Sequence, residues 1–234
     1  MSEVPFATLL ERRLSMQLAI ARTLAASTSL AQAAPALLET IARAEGFQAA
    51  AIWQVDVASS ELRCLDFWGD PEHPSPELER ISRRTWLPGG ELLPGRVWAT
   101  GEPVRIADLA HEPGFHRAFW ATKDGLRAAI AFPIGAGAEV RGVLELFDHA
   151  PRDLDPIFGE VMRAIGAQIG RFLQQREADE ALRRAEERLR RVLDHAPIVL
   201  FALDRDGRVT LSEGRGLPAF GLVPKQVVGQ SAIE

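Results

Sequence analysis

The sequence lacks several features that mark particular classes of protein. Its 234 residues include one cysteine, Cys64, which excludes an intramolecular disulfide and any metal site built from several cysteines. The formal net charge of −5 leaves no basic surplus to neutralise phosphates, so we expect no nucleic-acid partner. No run approaches the roughly 20 apolar residues that span a bilayer, and charged residues at 11–13 interrupt the N-terminal apolar run. We therefore expect a cytoplasmic protein with neither a signal peptide nor a membrane segment in this chain.

Motifs for phosphate binding and catalysis are also missing. Gly89-Gly90 is not followed by Gly-Lys-Ser or Gly-Lys-Thr. His111 and His116 are separated by a Pro-Gly pair, which would break any helix that aligned two imidazoles on a metal. Cys64 lies in a predicted strand without a neighbouring base, and His195 lies where a helix ends. We expect no catalytic residue, no metal site and no evident cofactor. Whether an unknown small-molecule ligand binds is left open.

Two helices are predicted at the N-terminus. Residues 6–26 carry apolar residues at spacings of three and four, which predicts a helix with one apolar stripe made of Leu10, Leu14, Leu18, Ala21 and Ala25. A second helix is expected over 31–45. Ser29 and Gln32 have the spacing of a capping box, and Gly46 is typical of a C-cap.

Strand patterns follow these helices. Residues 48–55 and 62–68 predict paired strands, and residues 127–134 and 139–147 predict a hairpin. A short helix is expected between Pro94 and Gly101. Mixed strands and helices of this kind predict an α/β (α+β) fold.

From Asp153 the pattern is helical to about His195, which is too long for one compact domain of this size. Beyond Gly166 the helix becomes charged. Small and apolar residues then alternate at spacings of four and three, forming a seam of Ala178, Leu182, Ala185, Leu189 and Val192. The seam predicts a parallel coiled coil and hence a homodimer.

Residues 89–148 resemble the core of a GAF domain, a small-molecule-sensing module of bacterial signalling proteins. The matching positions are Gly95, Trp98, Gly101, Pro103, Asp108, Phe132, Pro133, Ile134 and the stretch from Gly142 to Phe147. The resemblance implies a central antiparallel sheet of five or six strands. The helices at 6–26 and 153–178 would cover one face of it, and short helices with a candidate pocket would cover the other.

Residues 197–234 resemble the start of a PAS domain, another sensory module, through His-Ala-Pro at 195–197, the Asp-Arg-Asp-Gly turn at 204–207 and Gly221-Leu222. A PAS fold needs roughly 100 residues, so we expect an incomplete PAS-like hairpin and a fragment of a longer protein. The expected domain plan is a dimerisation helix at 1–29, a GAF domain at 30–170, a coiled-coil signalling linker at 171–196 and the beginning of a PAS domain at 197–234.

The GAF resemblance places a set of aromatic and polar residues around the candidate pocket: Trp68, Trp86, Trp98, Phe115, His116, Phe119, Trp120, Arg127 and Glu145. Ordinary core packing is the alternative for the aromatic members. Glu145 alternates with Val143 and Phe147 on one strand face, and a buried glutamate would need a partner. The Asn-Lys-x-Asp signature of GAF domains that bind cyclic GMP is absent, so the resemblance names no ligand.

These features predict a sensory and regulatory module of a bacterial signal-transduction protein, such as a two-component system. It would dimerise in parallel and act on a downstream output domain in the same polypeptide. Two alternatives stay open. The chain is the regulatory part of an enzyme, a sensor histidine kinase or a cyclic-di-GMP cyclase or phosphodiesterase, whose catalytic domain lies elsewhere. Or it is a ligand-free dimerisation scaffold.

Overall fold

A computed structural model describes residues 6–112, 117–137, 139–151, 155–195 and 199–232. The helices are α1 (Phe6–Ala26), α2 (Leu30–Glu45), α3 (Pro76–Ser82), α4 (Leu92–Thr100), α5 (Ala118–Lys123) and α6 (Pro156–His195), with 3-10 turns at Leu109–His111 and Leu217–Phe220. The strands are β1 (Ala49–Asp56), β2 (Glu61–Gly69), β3 (Trp86–Pro88), β4 (Val104–Ile106), β5 (Ala128–Ala136), β6 (Glu139–Asp148), β7 (Leu200–Leu203) and β8 (Val209–Glu213). The chain divides into two compact units, Met1–Arg176 and Glu177–Glu234.

The first unit contains a six-stranded antiparallel sheet in the order β3-β2-β1-β6-β5-β4. This confirms the expected GAF-like α/β fold. The patterns at 48–55, 62–68, 127–134 and 139–147 correctly predict the four long strands. They miss β3 and β4, because three residues are too few to show an alternating pattern.

The ends of α2 follow from its capping residues. The Ser29 hydroxyl accepts a hydrogen bond from the Gln32 backbone N–H at 3.2 Å. The Gln32 side chain in turn accepts one from the Thr28 backbone N–H at 2.8 Å. Gly46 adopts the left-handed conformation with φ of 72°, which glycine reaches without steric cost. The predicted cap residues are therefore confirmed at both ends.

Alternation along the central strands produces two separate cores. On the α2–α6 face, Ile52, Ile130, Phe132, Leu144 and Leu146 pack with side chains of α1, α2 and α6. On the α3–α5 face, Ala51, Trp53, Ala131, Val143 and Phe147 pack with side chains from α3, α4 and the chain around α5. Helices α1 and α6 belong to the core of one face, as expected, but α2, which the expectation did not place there, contacts β1 and β2 and carries α1.

The buried side of α1 differs from the predicted stripe. Met16, Ile20 and Leu24 are buried against α2, together with Arg13. Leu10, Leu14 and Leu18, the first three residues of the predicted stripe, lie at 53%, 57% and 52% exposure. Ala25 is also exposed and Ala21 is partly buried. The helix therefore carries apolar residues on two sides, and the stripe predicted from periodicity is not the side that packs on the core of this chain.

Arg13 is buried where α1, α2 and the start of α6 meet. Its guanidinium donates to both carboxylate oxygens of Glu45, at 2.9 and 3.1 Å, and to both of Asp155, at 2.8 and 2.6 Å. These hydrogen bonds lower the pKa of Asp155 below its usual range, chiefly through the bond from Arg13. The two paired carboxylates compensate for the loss of water around the cation.

At two glycines, helix α6 lies so close to β5 that no side chain would fit between the two backbones. A Cβ added at Gly166 would lie 2.2 Å from the Pro133 carbonyl oxygen, and one at Gly170 would lie 2.3 Å from the Gly135 carbonyl carbon. Both distances are well inside van der Waals contact. The N-terminal half of α6 is therefore in direct backbone contact with the central sheet.

In the second unit, β7 and β8 form an antiparallel hairpin. Leu200, Phe201 and Leu203 of β7 are at least partly exposed. Within the part of the chain that the structure describes, no helix is both long and apolar enough to cross a membrane.

Candidate functional site

The most distinctive group on the α3–α5 face is the carboxylate of Glu145, which is fully buried in the middle of β6. Its cross-strand neighbours are Ala51 on β1 and Ala131 on β5. Because both neighbours are small, the sheet surface around Glu145 leaves space above the carboxylate. Burying an isolated carboxylate in such a place would cost much free energy. The stability of Glu145 in this position therefore depends on the group that fills the space.

Arg117 fills that space. Its Nη2 donates to Glu145 Oε1 at 2.5 Å, and its Nη1 donates to the Ser82 hydroxyl at 2.9 Å. Trp53 Nε1 donates to the second carboxylate oxygen of Glu145 at 2.9 Å. The Arg117 guanidinium carbon also lies 4.8 Å from the centre of the Trp53 ring. Arg117 is 1% exposed, so this pair is enclosed by protein.

Two short helices bring Ser82 and Arg117 together. Ser82 ends α3, and Arg117 directly precedes α5. Asp124, just after α5, accepts a hydrogen bond from the Leu78 backbone N–H at the start of α3, at 2.8 Å. Lys123 pairs with Glu77 at 2.6 Å. These contacts hold the C-terminal end of α5 against the start of α3, which is the end of each helix away from Arg117 and Ser82.

The site carries charge but little acid–base chemistry. The carboxylate faces a guanidinium, which carries hydrogen-bond donors and no acceptor. Cys64 of β2 packs against the same core, where burial raises the pKa of its thiol to about 12. A neutral thiol is a poor nucleophile. Among the described residues, no group of three or more His, Cys, Asp or Glu side chains is placed to hold a metal ion.

Comparison with known proteins identifies the family. The family model described as GAF domain matches residues 27–174, which is more than half of the chain. The chain belongs to the GAF domain family. The comparison with curated proteins gave no match.

Solved structures show the same fold. A GAF domain from a phosphoenolpyruvate-protein phosphotransferase of Coxiella burnetii is similar with a TM-score of 0.61 and 19% identity, covering 73% of this chain and 98% of that one. The free methionine-R-sulfoxide reductase from Neisseria meningitidis, solved with its substrate, has a TM-score of 0.58 and 18% identity, covering 76% and 96%. A GAF domain from A. Aeolicus, in an inactive state, has a TM-score of 0.57 and 20% identity, covering 72% and 99%.

Within this GAF domain, the predicted pocket residues do not form one group. Trp68 packs against the core of the opposite, α2–α6 face, with the Arg43 guanidinium 5.7 Å from its ring centre. Trp68 therefore does not lie on the sheet face to which the candidate pocket was assigned. Residues 67 and 68 lie on opposite faces of a strand, and it is Phe67 that enters the α3–α5 core.

Three other predicted aromatics lie at or near the surface. Trp86 and Phe119 are 51% and 66% exposed. Trp120 packs edge-to-face on Phe119 at 5.0 Å and has the Arg80 guanidinium 4.7 Å from its ring centre. None of these three described side chains belongs to the α3–α5 core.

The remaining predicted residues are divided. Trp98 packs partly buried against the α3–α5 core, and its ring lies over Gly89. Arg127 precedes β5 and is exposed. Phe115 and His116 fall outside the described residues. Of the predicted residues that the structure describes, only Glu145 lies in the buried polar cluster.

Sequence reasoning missed the partners Trp53, Ser82 and Arg117. A tryptophan within a strongly apolar strand pattern could have indicated Trp53. Nothing in the spacing from residue 117 to residue 145 indicates the ion pair, because the two residues meet only when α5 packs over the sheet.

Proposed function

We propose that this chain is a sensory and regulatory module of a bacterial signal-transduction protein, which dimerises and passes its signal along α6. GAF domains are regulatory modules of signalling proteins. The observation that carries the proposal is the two-part character of α6. Its first half is in backbone contact with the sheet at Gly166 and Gly170, and its second half presents apolar side chains to solvent.

The exposed apolar residues of α6 follow the predicted seam. Leu182 and Leu189 are 61% and 60% exposed, and Ala178 and Ala185 are exposed as well. The side chain of Val192 lies outside the described residues. A second chain aligned in parallel would bury this seam in a short coiled coil.

Helix α1 offers a second apolar stripe for the same partner. Leu10, Leu14 and Leu18 recur every four residues and are exposed, while the other side of α1 is held by Arg13 and Met16. Helices with apolar residues on two sides suit a bundle formed between copies.

In this scheme a shift of the sheet moves α6 directly, because no side chain lies between the two backbones at Gly170. The two copies of α6 would then redistribute between two packing arrangements. The hairpin at 200–213, as the beginning of a PAS domain, and an output domain beyond it would receive this change. That output domain would be a histidine kinase or a cyclic-di-GMP enzyme.

A ligand-free dimerisation scaffold is the second candidate. The Arg117–Glu145 pair favours it, because this pair fills the space in which the GAF resemblance places a ligand. A thermal-shift screen separates the two candidates. A ligand at 100 times its dissociation constant adds about 2.7 kcal/mol of stability to a sensor. A ligand-free scaffold would not be stabilised by any compound in the screen.

Sedimentation velocity tests the dimer. We expect the wild type to be dimeric at tens of micromolar, about the affinity of weak interfaces. Leu182→Glu should give monomers, because it would place the carboxylates of the two chains opposite each other in an apolar seam. Leu14→Glu should also weaken the dimer if the apolar stripe of α1 is part of the interface between the two chains.

Arg190→Glu is the matched control, since residue 190 is exposed on α6 and lies outside the seam. This variant should stay dimeric despite its larger change of charge. A wild type that sediments as a monomer, or equal loss of dimer in Arg190→Glu and Leu182→Glu, would refute the proposed seam.

A further inference from the structure

We propose that the α3–α5 face holds a guanidinium-recognition site, which Arg117 occupies as an intramolecular ligand. When the Arg117 side chain is absent or withdrawn, the site takes a free guanidinium or amidine cation. This inference does not depend on the dimer or on signal transfer through α6.

The first support is that the three recognising groups come from elements other than α5. Glu145 is on β6, Trp53 is on β1 and Ser82 ends α3. All three are fully buried, and the hydrogen bond from Trp53 fixes one oxygen of the carboxylate. Apart from its occupant, the site is therefore built by the sheet and α3.

The second support is that these groups match the chemistry of a guanidinium. One nitrogen donates to a carboxylate, another donates to a hydroxyl 2.9 Å away, and the planar group lies 4.8 Å from an indole ring centre. A planar cation with forked donors satisfies all three contacts at once. A compact ammonium ion lacks the fork, and an anion would be repelled by Glu145.

The third support is the space that the sheet reserves. Glu145 has alanine on both neighbouring strands, at Ala51 and Ala131, and two further alanines, Ala49 and Ala129, line the same face. Larger residues here would close the volume above the carboxylate. The Arg117 side chain is what fills this volume, from a position just before the six-residue helix α5.

Chemical rescue of Arg117→Ala tests the site. This variant keeps Glu145, Trp53 and Ser82 and removes the occupant. Its melting temperature would be measured with methylguanidinium chloride up to about 20 mM, a concentration far below the molar range of denaturants. Methylammonium chloride and sodium chloride at equal ionic strength are the comparison salts.

We expect methylguanidinium to raise the melting temperature of Arg117→Ala by roughly 3–6 °C at about ten times its dissociation constant. Methylammonium should not do so. The wild type should not respond, because its site is filled. The double variant Arg117→Ala/Glu145→Gln should not respond either, since the glutamine substitution keeps the shape of the side chain without its charge.

If Arg117→Ala does not fold alone, its refolding yield from urea replaces the melting temperature. We then expect folded protein with methylguanidinium and none with methylammonium. Equal responses to the two cations, a wild-type response as large as that of the variant, or no response to methylguanidinium in either assay would overturn the proposal. None of these outcomes bears on the sedimentation result, so the two proposals fail separately.

Discussion

The two faces of the central sheet each bury an arginine, but they surround it differently. On the α2–α6 side, Arg13 lies at the margin of a hydrocarbon core, and one of its two partners, Asp155, has a side chain that is 40% exposed. On the α3–α5 side, Arg117 and Glu145 lie at the centre of the core, with side chains at 2% and 0% exposure.

This difference determines how each pair responds to the loss of a partner. Water can reach Asp155, so a disturbed Arg13 pair can regain part of its hydration. No such route is open to Glu145, and an unpaired charge there bears the full cost of burial. We expect the Arg13 pair to hold helices together. The Arg117–Glu145 pair instead decides whether α3 and α5 can pack over the sheet.

The largest expected effect is the loss of Glu145. Glu145→Ala leaves the Arg117 cation buried without its carboxylate, and we expect a loss of about 3–5 kcal/mol in the free energy of unfolding. Urea unfolding followed by tryptophan fluorescence measures it. The double variant Arg117→Met/Glu145→Gln removes both charges and keeps an acceptor for the Trp53 N–H, so it should lose clearly less. Arg117→Met and Glu145→Gln measured singly complete the cycle, and a double variant as unstable as the sum of these two would show that the two charges do not interact.

A smaller effect is expected on the α2–α6 face at Gly170. Gly170→Ala would place a methyl group 2.3 Å from the Gly135 carbonyl carbon, and we expect a loss of about 1–3 kcal/mol from overpacking. Gly159→Ala on the same helix is the control, since its nearest atom is the end of the Arg163 side chain at 4.0 Å. That change should stabilise by up to about 1 kcal/mol through helix propensity. Similar stability in the two variants would contradict close backbone packing of α6 on β5.

The smallest effect is expected at Asp155, and it should depend on pH. Folding lowers the pKa of this carboxyl, mainly through the hydrogen bond from Arg13. The pair therefore stabilises the folded state above the ordinary aspartate pKa of about 4, and this contribution is lost as pH falls through the lowered value. Asp155→Asn should cost about 1 kcal/mol or less at pH 7, and the difference should shrink towards pH 3. A difference that does not change with pH would show that the charge of Asp155 is not what stabilises the pair.

Local sequence signals predicted much of the fold. Ser29 and Gly46 marked the ends of α2, and the four long strands showed alternating or continuous apolar patterns. These signals act between residues close in the chain, so they can be read without a structure. On α1 the same spacing marked the apolar stripe of Leu10, Leu14 and Leu18 but did not show which side of the helix packs on the core, and these three residues face solvent.

The sequence by itself determined most of the secondary structure, the family and the place of Glu145 on an otherwise apolar strand face, where burial would require a partner. Only the tertiary structure decided that the partner is Arg117, that Trp68 faces away from it and that α1 buries Met16 rather than Leu14. The physical reason is that these outcomes depend on contacts between residues far apart in the chain. Arg117 and Glu145 are 28 positions apart, and Arg13 and Asp155 are 142 apart; no local periodicity carries information about such pairs.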